Sequence, residues 1–122
     1  MRRHVLEASL WLSSPLEATF AFFSDPANLA RITPPDLGFV ILAPGPVPMR
    51  AGALIDYRIR LRGIPVRWTS LIEVWEPNAR FVDVQVRGPY RLWRHEHIFK
   101  PEEGGTRVTD RVEYALPLFS FA

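Results

Sequence analysis

The sequence predicts an α+β domain in which one strand is followed by two short helices and then by six strands of a long antiparallel sheet. Three observations carry that prediction. Helix-start signals cluster between residues 14 and 31, turn residues punctuate the chain beyond residue 38 at short intervals, and the segments between those turns alternate apolar and polar side chains with the period of a strand.

Residues 4–12, HVLEASLWL, read as the first strand. SSPLEATFAFFSD then offers Ser14 as an N-cap, Pro15 as the first helical residue and Glu17 as the return partner of a capping box. Leu16, Phe20 and Phe23 follow at helical spacing and define the apolar face of a short helix. Asp25-Pro26 is a second start signal, for a helix running to about Arg31, and the prolines of ITPPDLG end it because neither can donate to a helical ladder. The remaining strands are FVILA, ALIDYRIRLR, VRWTSLIEVW, RFVDVQV, RLWRHEHIF and TRVTDRVEYAL, separated at Gly63-Ile64-Pro65, Pro77-Asn78, Gly88-Pro89 and Gly104-Gly105. Loops this short join antiparallel neighbours.

The facing of each strand follows from its alternation. Ile55, Tyr57, Ile59 and Leu61 form one set and Asp56, Arg58, Arg60 and Arg62 the other, so the first set faces the core. If Leu61 and Val66 flank the RGIP turn, Ile59 lies opposite Trp68, Tyr57 opposite Ser70 and Ile55 opposite Ile72. At the last hairpin, pairing Phe99 with Thr106 sets His97 opposite Val108, His95 opposite Asp110 and Trp93 opposite Val112. A register shifted by two gives the aspartate to His97 instead. Arg107, Thr109, Arg111 and Glu113 are all polar, which turns Asp110 inward. In strand 80–87 either Val82, Val84 and Val86 or Phe81, Asp83 and Gln85 face in; periodicity favours the valines, and the EPNA loop does not fix the register.

Composition narrows the functions available. A chain of 122 residues, 48% hydrophobic and 23% charged, suits one soluble domain over residues 1–122. Without cysteine it has no disulfide, thiolate nucleophile or thiolate metal ligand. No apolar run approaches the ~20 residues of a membrane span, and Glu7 and Ser9 interrupt any leader-like segment, so a cytoplasmic protein is expected. The 15 basic residues are interleaved with 13 acidic ones, leaving no concentrated basic footprint for nucleic acid despite a net charge of +2. No Gly-rich phosphate loop, nucleophile elbow or HExxH pattern is present.

The phrases FFSDPANLARITPP, YRIRLRGIPVRW, FVDVQVRGPYRLWRHEHIF and GGTRVTDRVEYALP, in this order of elements, make the chain similar from about residue 4 to 118 to the SRPBCC group of START-like ligand-binding proteins. Within that group it resembles small bacterial members labelled cyclase/dehydrase-like. The resemblance implies a helix-grip fold: a curved seven-stranded sheet wraps a long C-terminal helix, and an apolar small molecule sits between them. Members carry lipids, bind hormones, or act as polyketide cyclases and aromatases. The chain departs from the pattern at ALPLFSFA, where the gripping helix would continue. An uncovered apolar face is costly, so either the chain is a truncated product or a second chain covers the face; the expectation is a homodimer in which the concave faces or the tails over residues 116–122 pack together.

WRHEHIF concentrates the candidate chemistry, because Trp93, His95, His97 and Phe99 share one face of their strand. Three readings attach to His95, His97 and Asp110. They could ligate zinc or iron, but no further ligand is evident on that face. Asp110 could orient His95 for acid/base catalysis of the cyclase/dehydrase type, although no nucleophile or oxyanion device is visible. They could instead satisfy one another as polar groups inside a largely apolar cavity, holding the sheet and orienting a ligand. The last reading is preferred. The expected function is binding of an apolar or aromatic, lipid- or polyketide-like molecule by Tyr57, Trp68, Trp93, His95, His97, Phe99 and Asp110, with no metal or other cofactor; the alternatives are a cyclase/dehydrase-type enzyme using His95 and Asp110, or a dimerising interaction module without ligand. Gly88-Pro89-Tyr90 is read as a turn that could edge the cavity mouth. The Arg-rich outer face reads as solvated sheet surface.

Overall fold

The computed structural model describes residues 1–28, 31, 38–42 and 48–117. The elements are β1 (His4–Leu12), α1 (Leu16–Phe23), a 3-10 turn (Pro26–Asn28), β2 (Val40–Ile41), β3 (Leu54–Leu61), β4 (Ile64–Glu76), β5 (Arg80–Arg87), β6 (Leu92–Glu102) and β7 (Gly105–Ala115). All seven strands join one antiparallel sheet in the order β1-β7-β6-β5-β4-β3-β2. From β2 onward every strand pairs with its sequence neighbours, as short connections dictate. The expected continuation of the second helix through residues 29–30, the stop over 32–37 and the tail beyond residue 117 lie outside the described residues.

Helix α1 begins one residue later than the capping-box reading expects. Pro15, at φ −63° and ψ 154°, occupies the N-cap, and no side chain caps the helix. The Ser14 carbonyl accepts from the Thr106 hydroxyl of β7 at 2.8 Å and from the Thr19 hydroxyl of α1 at 3.3 Å, so residue 14 ties the start of the helix to the sheet. Thr19 closes the first turn, with both its amide and its hydroxyl donating to the Pro15 carbonyl at 2.9 Å. The second start signal acts locally, since Asp25 Oδ1 accepts the Ala27 amide at 3.0 Å.

Both long hairpins close more tightly than expected. Leu61 pairs with Ile64 across Arg62 (φ 53°) and Gly63 (φ 79°), and Glu102 pairs with Gly105 across Glu103 (φ 47°) and Gly104 (φ 76°). Two central residues with positive φ make the two-residue turn whose twist matches that of the flanking strands. The β3–β4 register is therefore displaced by two from the one expected, with Tyr57 opposite Trp68, Ile59 opposite Val66 and Ile55 opposite Ser70. At β6–β7 the shifted alternative holds: His97 faces Asp110, His95 faces Val112, Trp93 faces Tyr114 and Phe99 faces Val108. A displacement of two keeps every side chain on its face, so the inward assignments survive both corrections.

The facing of β5 reverses the periodicity preference. Phe81 and Asp83 look into the concave side, while Val86 is 54% exposed. The register of β4 against β5 shifts between Ile72 and Val74, which leaves Glu73 as an extra residue. Such a bulge switches the inward set of β4 from Trp68, Ser70 and Ile72 to Trp75, which then pairs with inward Phe81. Val82 is nonetheless fully buried, on the other face of the sheet beside Val74.

The core lies where α1 crosses the concave side. Phe20 projects from the helix onto Phe99, Trp75 and Phe81, with ring centroids 5.1, 5.2 and 6.0 Å away, and Ile55, Ile72 and Val108 complete the cluster. Leu16 and Phe23 pack at its margin, as their helical spacing predicts. On the convex face Arg67 meets Asp56 at 3.0 Å, Arg80 meets Glu96 at 2.6 Å and Arg94 meets Glu73 at 3.4 Å. Three of the outer arginines are thus paired with acids across a solvated surface.

Candidate functional site

Beyond the helix-covered core, the concave face opens into a cavity of about 490 Å³. Strand alternation builds its walls from β3 (Ile55, Tyr57, Ile59, Leu61), β4 (Trp68, Ser70, Ile72), β5 (Phe81, Asp83), β6 (Trp93, His95, His97) and β7 (Asp110). Phe23, Asp25 and Pro26 close the helix side, and Tyr90 stands at the opposite end. Tyr57 stacks on Trp68 at 6.0 Å and 15°, and Trp93 meets Trp68 edge-on at 5.2 Å and 89°. Tyr90 packs at 4.9 Å from Trp93, held there by Gln85, whose side chain bonds both the Tyr90 carbonyl (2.7 Å) and its amide (3.1 Å). The Gly88-Pro89-Tyr90 segment is therefore both a turn and part of the cavity wall.

Three adjacent strands bring a cluster of two imidazoles and two carboxylates to one level. Phe81, His97 and Asp110 are in cross-strand register, and so are Asp83 and His95. His97 Nε2 lies 2.6 Å from Asp83 Oδ2 and its Nδ1 lies 3.3 Å from Asp110 Oδ1. His95 Nε2 lies 2.9 Å from the same Asp110 oxygen, and its Nδ1 is 4.0 Å from Asp83 Oδ2. The two rings stack at 3.7 Å, and His97 stacks in turn on Phe81 at 4.0 Å. The aspartates thus flank a column of parallel rings, one from each neighbouring strand.

Electrostatics follow from this arrangement. Burial pushes the His97 imidazole down, but the carboxylates of Asp110 and Asp83 outweigh it and the net displacement is upward. A neutral imidazole has one N–H and cannot donate to carboxylates on both edges, whereas the cation can. Burial would raise the Asp110 carboxyl, yet the two imidazoles hold it well below the ordinary range. Burial pushes the Tyr57 phenol up; its hydroxyl lies 3.4 Å from Ser70 Oγ, which partly offsets that rise, and the Asp83 charge adds to it. Trp68 is 5% exposed, and its indole Nε1 has no hydrogen-bond partner among the described residues.

Of the residues singled out from sequence, Tyr57, Trp68, Trp93, His95, His97 and Asp110 line the cavity together. Phe99 does not. It is 3% exposed under α1, at the end of β6 that the helix covers, and belongs to the core. Asp83 was missed because the bulge hid its facing; its signal was the alternative set Phe81, Asp83 and Gln85. One ligand atom from each of Asp83, His95 and His97 lies within 4.8 Å of the others, so among the described residues these three could gather around a divalent cation.

The seven-stranded antiparallel sheet, with α1 across its concave side and a cavity beside it, matches the sheet of helix-grip folds. The chain belongs to the polyketide cyclase / dehydrase and lipid transport family, which matches over residues 12–122. Among solved structures it is similar to the Zhui aromatase/cyclase from Streptomyces sp. R1128, at TM-score 0.76 and 15% identity, covering 98% of this chain and 72% of that one. It is also similar to TTHA0849 from Thermus thermophilus (TM-score 0.73, 22% identity, 97% and 78% covered). Ginseng major latex-like protein 151 from Panax ginseng shares the fold as well (TM-score 0.71, 13% identity, 96% and 81% covered). No curated protein matches. No helix among the described residues is long and apolar enough to cross a membrane.

Proposed function

We propose that this protein binds an apolar or aromatic small molecule, lipid- or polyketide-like, in the cavity on the concave face. The observation that carries the reading is the cavity itself. At about 490 Å³ it falls within the ~300–1,000 Å³ range of small-molecule sites, and its aromatic walls converge on a few polar groups. Tyr57, Trp68 and Trp93 supply the walls, while His95, His97, Asp110 and Asp83 orient the ligand's polar end.

One observation favours a second reading, proton transfer on the bound molecule: His95 lines the cavity and contacts Asp110 at 2.9 Å, the geometry of an imidazole oriented by a carboxylate. For assembly we propose a homodimer. Leu6 and Leu10 of β1, 61% and 53% exposed, stand on the inner face opposite Val112 and Val108, where a second copy would cover them.

Native mass spectrometry of protein purified without denaturation tests both parts. The expected result is a dimer carrying a small-molecule adduct that collisional activation removes. A bare monomer that also takes up no added aromatic alcohol would contradict them.

A further inference from the structure

The charges around the cavity are sorted by sign. Fifteen lysines and arginines occur in the chain, all among the described residues, and not one of them lines the cavity. Every carboxyl or basic side chain of fixed charge in the lining is an aspartate: Asp83 and Asp110 in the wall and Asp25 at the rim. The two imidazoles, His95 and His97, can contribute at most two positive charges against three carboxylates. The lining is therefore negative in every protonation state of its histidines.

Strand alternation produces this sorting, since Arg58, Arg60, Arg67, Arg80 and Arg94 occupy positions that point to the convex face. Three of them are paired there, Arg67 with Asp56, Arg80 with Glu96 and Arg94 with Glu73. Asp83 and Asp110 each also keep a second oxygen, Oδ1 and Oδ2 respectively, that no described hydrogen bond uses. Trp68, Trp93, Tyr57 and Tyr90 line the same cavity, and the quadrupole of an aromatic face attracts a cation and repels an anion. Little water reaches Asp83, which is 17% exposed, so its charge is weakly screened.

Taking the ligand-binding reading as its basis, we infer that the cavity selects an aromatic molecule carrying a protonated amine, and that its lining of aspartates without lysine or arginine excludes fatty acids and other anionic lipids. The amine would sit against the free oxygens of Asp83 and Asp110, with its aromatic body against the cavity wall that Trp68 and Trp93 form together. This narrows the broad lipid- or polyketide-like class to its cationic members.

The test uses three probes of one aromatic body: naphthylethylamine, naphthylethanol and naphthylacetate, titrated calorimetrically at neutral pH and low salt. The amine is expected to bind about tenfold tighter than the alcohol and the acetate weakest, with the amine's advantage shrinking as salt rises. The Asp83→Asn and Asp110→Asn variants, singly and together, are expected to erode that advantage. The wild-type series and its salt dependence decide the matter even where a variant does not fold. If the alcohol binds but the acetate matches or exceeds the amine, the charge selection is wrong while the cavity reading stands. If none of the three binds, the cavity reading falls and the selection with it.

Discussion

Replacing Asp83 by asparagine removes one of the two carboxylates that face His97, and the structure sets both the size and the pH dependence of the loss. Asp83 Oδ2 and His97 Nε2 are 2.6 Å apart, with side chains only 17% and 15% exposed, so the contact is a shielded, charge-assisted hydrogen bond. Such bonds contribute about 1.5–3 kcal/mol, and asparagine keeps an acceptor, which places the loss at about 2 kcal/mol. For a chain of this size that corresponds to a melting temperature lower by roughly 8 °C. The sign with pH follows from His97, whose folded value is raised above 6.5. Its stabilisation is complete below the unfolded value and is lost as pH rises through the folded one. The other groups facing it are His95 on its own strand and Asp110 on β7. Thermal melts of both proteins followed by circular dichroism at about pH 6 and about pH 9.5 should show a wide gap that narrows in alkali. A gap that is equal at both, or wider in alkali, refutes a charged His97 held by Asp83.

Phe20→Ala should cost about 3–4 kcal/mol in denaturant unfolding, because the ring fills the space between α1 and Trp75, Phe81 and Phe99. Gly105→Ala should destabilise comparably to a core defect, since the new Cβ would collide with the Leu12 carbonyl and come within 2.8 Å of the Trp11 ring; a variant as stable as the parent would show that β1 can yield there. His95→Ala leaves Asp110 only its 3.3 Å contact with His97, so thermal stability should fall by about 1–2 kcal/mol. If His95 instead serves only catalysis, that variant keeps its stability and its affinity for naphthylethanol and loses turnover alone.

The sheet was legible in the sequence because its strands alternate and its turns carry glycine, proline or asparagine. The registers of the two long hairpins were not. Arg62-Gly63 and Glu103-Gly104 lack the Asn-Gly or Asp-Gly signature of a two-residue turn, so both loops read as wider than they are and each register is displaced by two. The faces survived because the error was even. Asp83 escaped for the opposite reason: Ile72-Glu73-Val74-Trp75 reads as unbroken alternation, and the extra residue at Glu73 shows only when β4 is laid against β5. Phe99 marks a different limit. Periodicity gives the face of a side chain but not whether a helix lies over it, and α1 covers that end of β6. The capping box does not form because Pro15, not Ser14, occupies the N-cap, and proline has no side-chain acceptor to offer.

The four tryptophans give the most direct measurement of the claim that the concave cavity is where a ligand sits. Trp68 and Trp93 line the cavity, Trp75 belongs to the core, and the Trp11 indole donates to the Glu102 carbonyl at 2.8 Å, away from the cavity. In a ¹⁵N-¹H correlation spectrum titrated with naphthylethylamine, the indole N–H resonances of Trp68 and Trp93 should move together and saturably, while that of Trp11 stays in place. Movement of Trp11 with Trp68 and Trp93 unchanged would contradict the account.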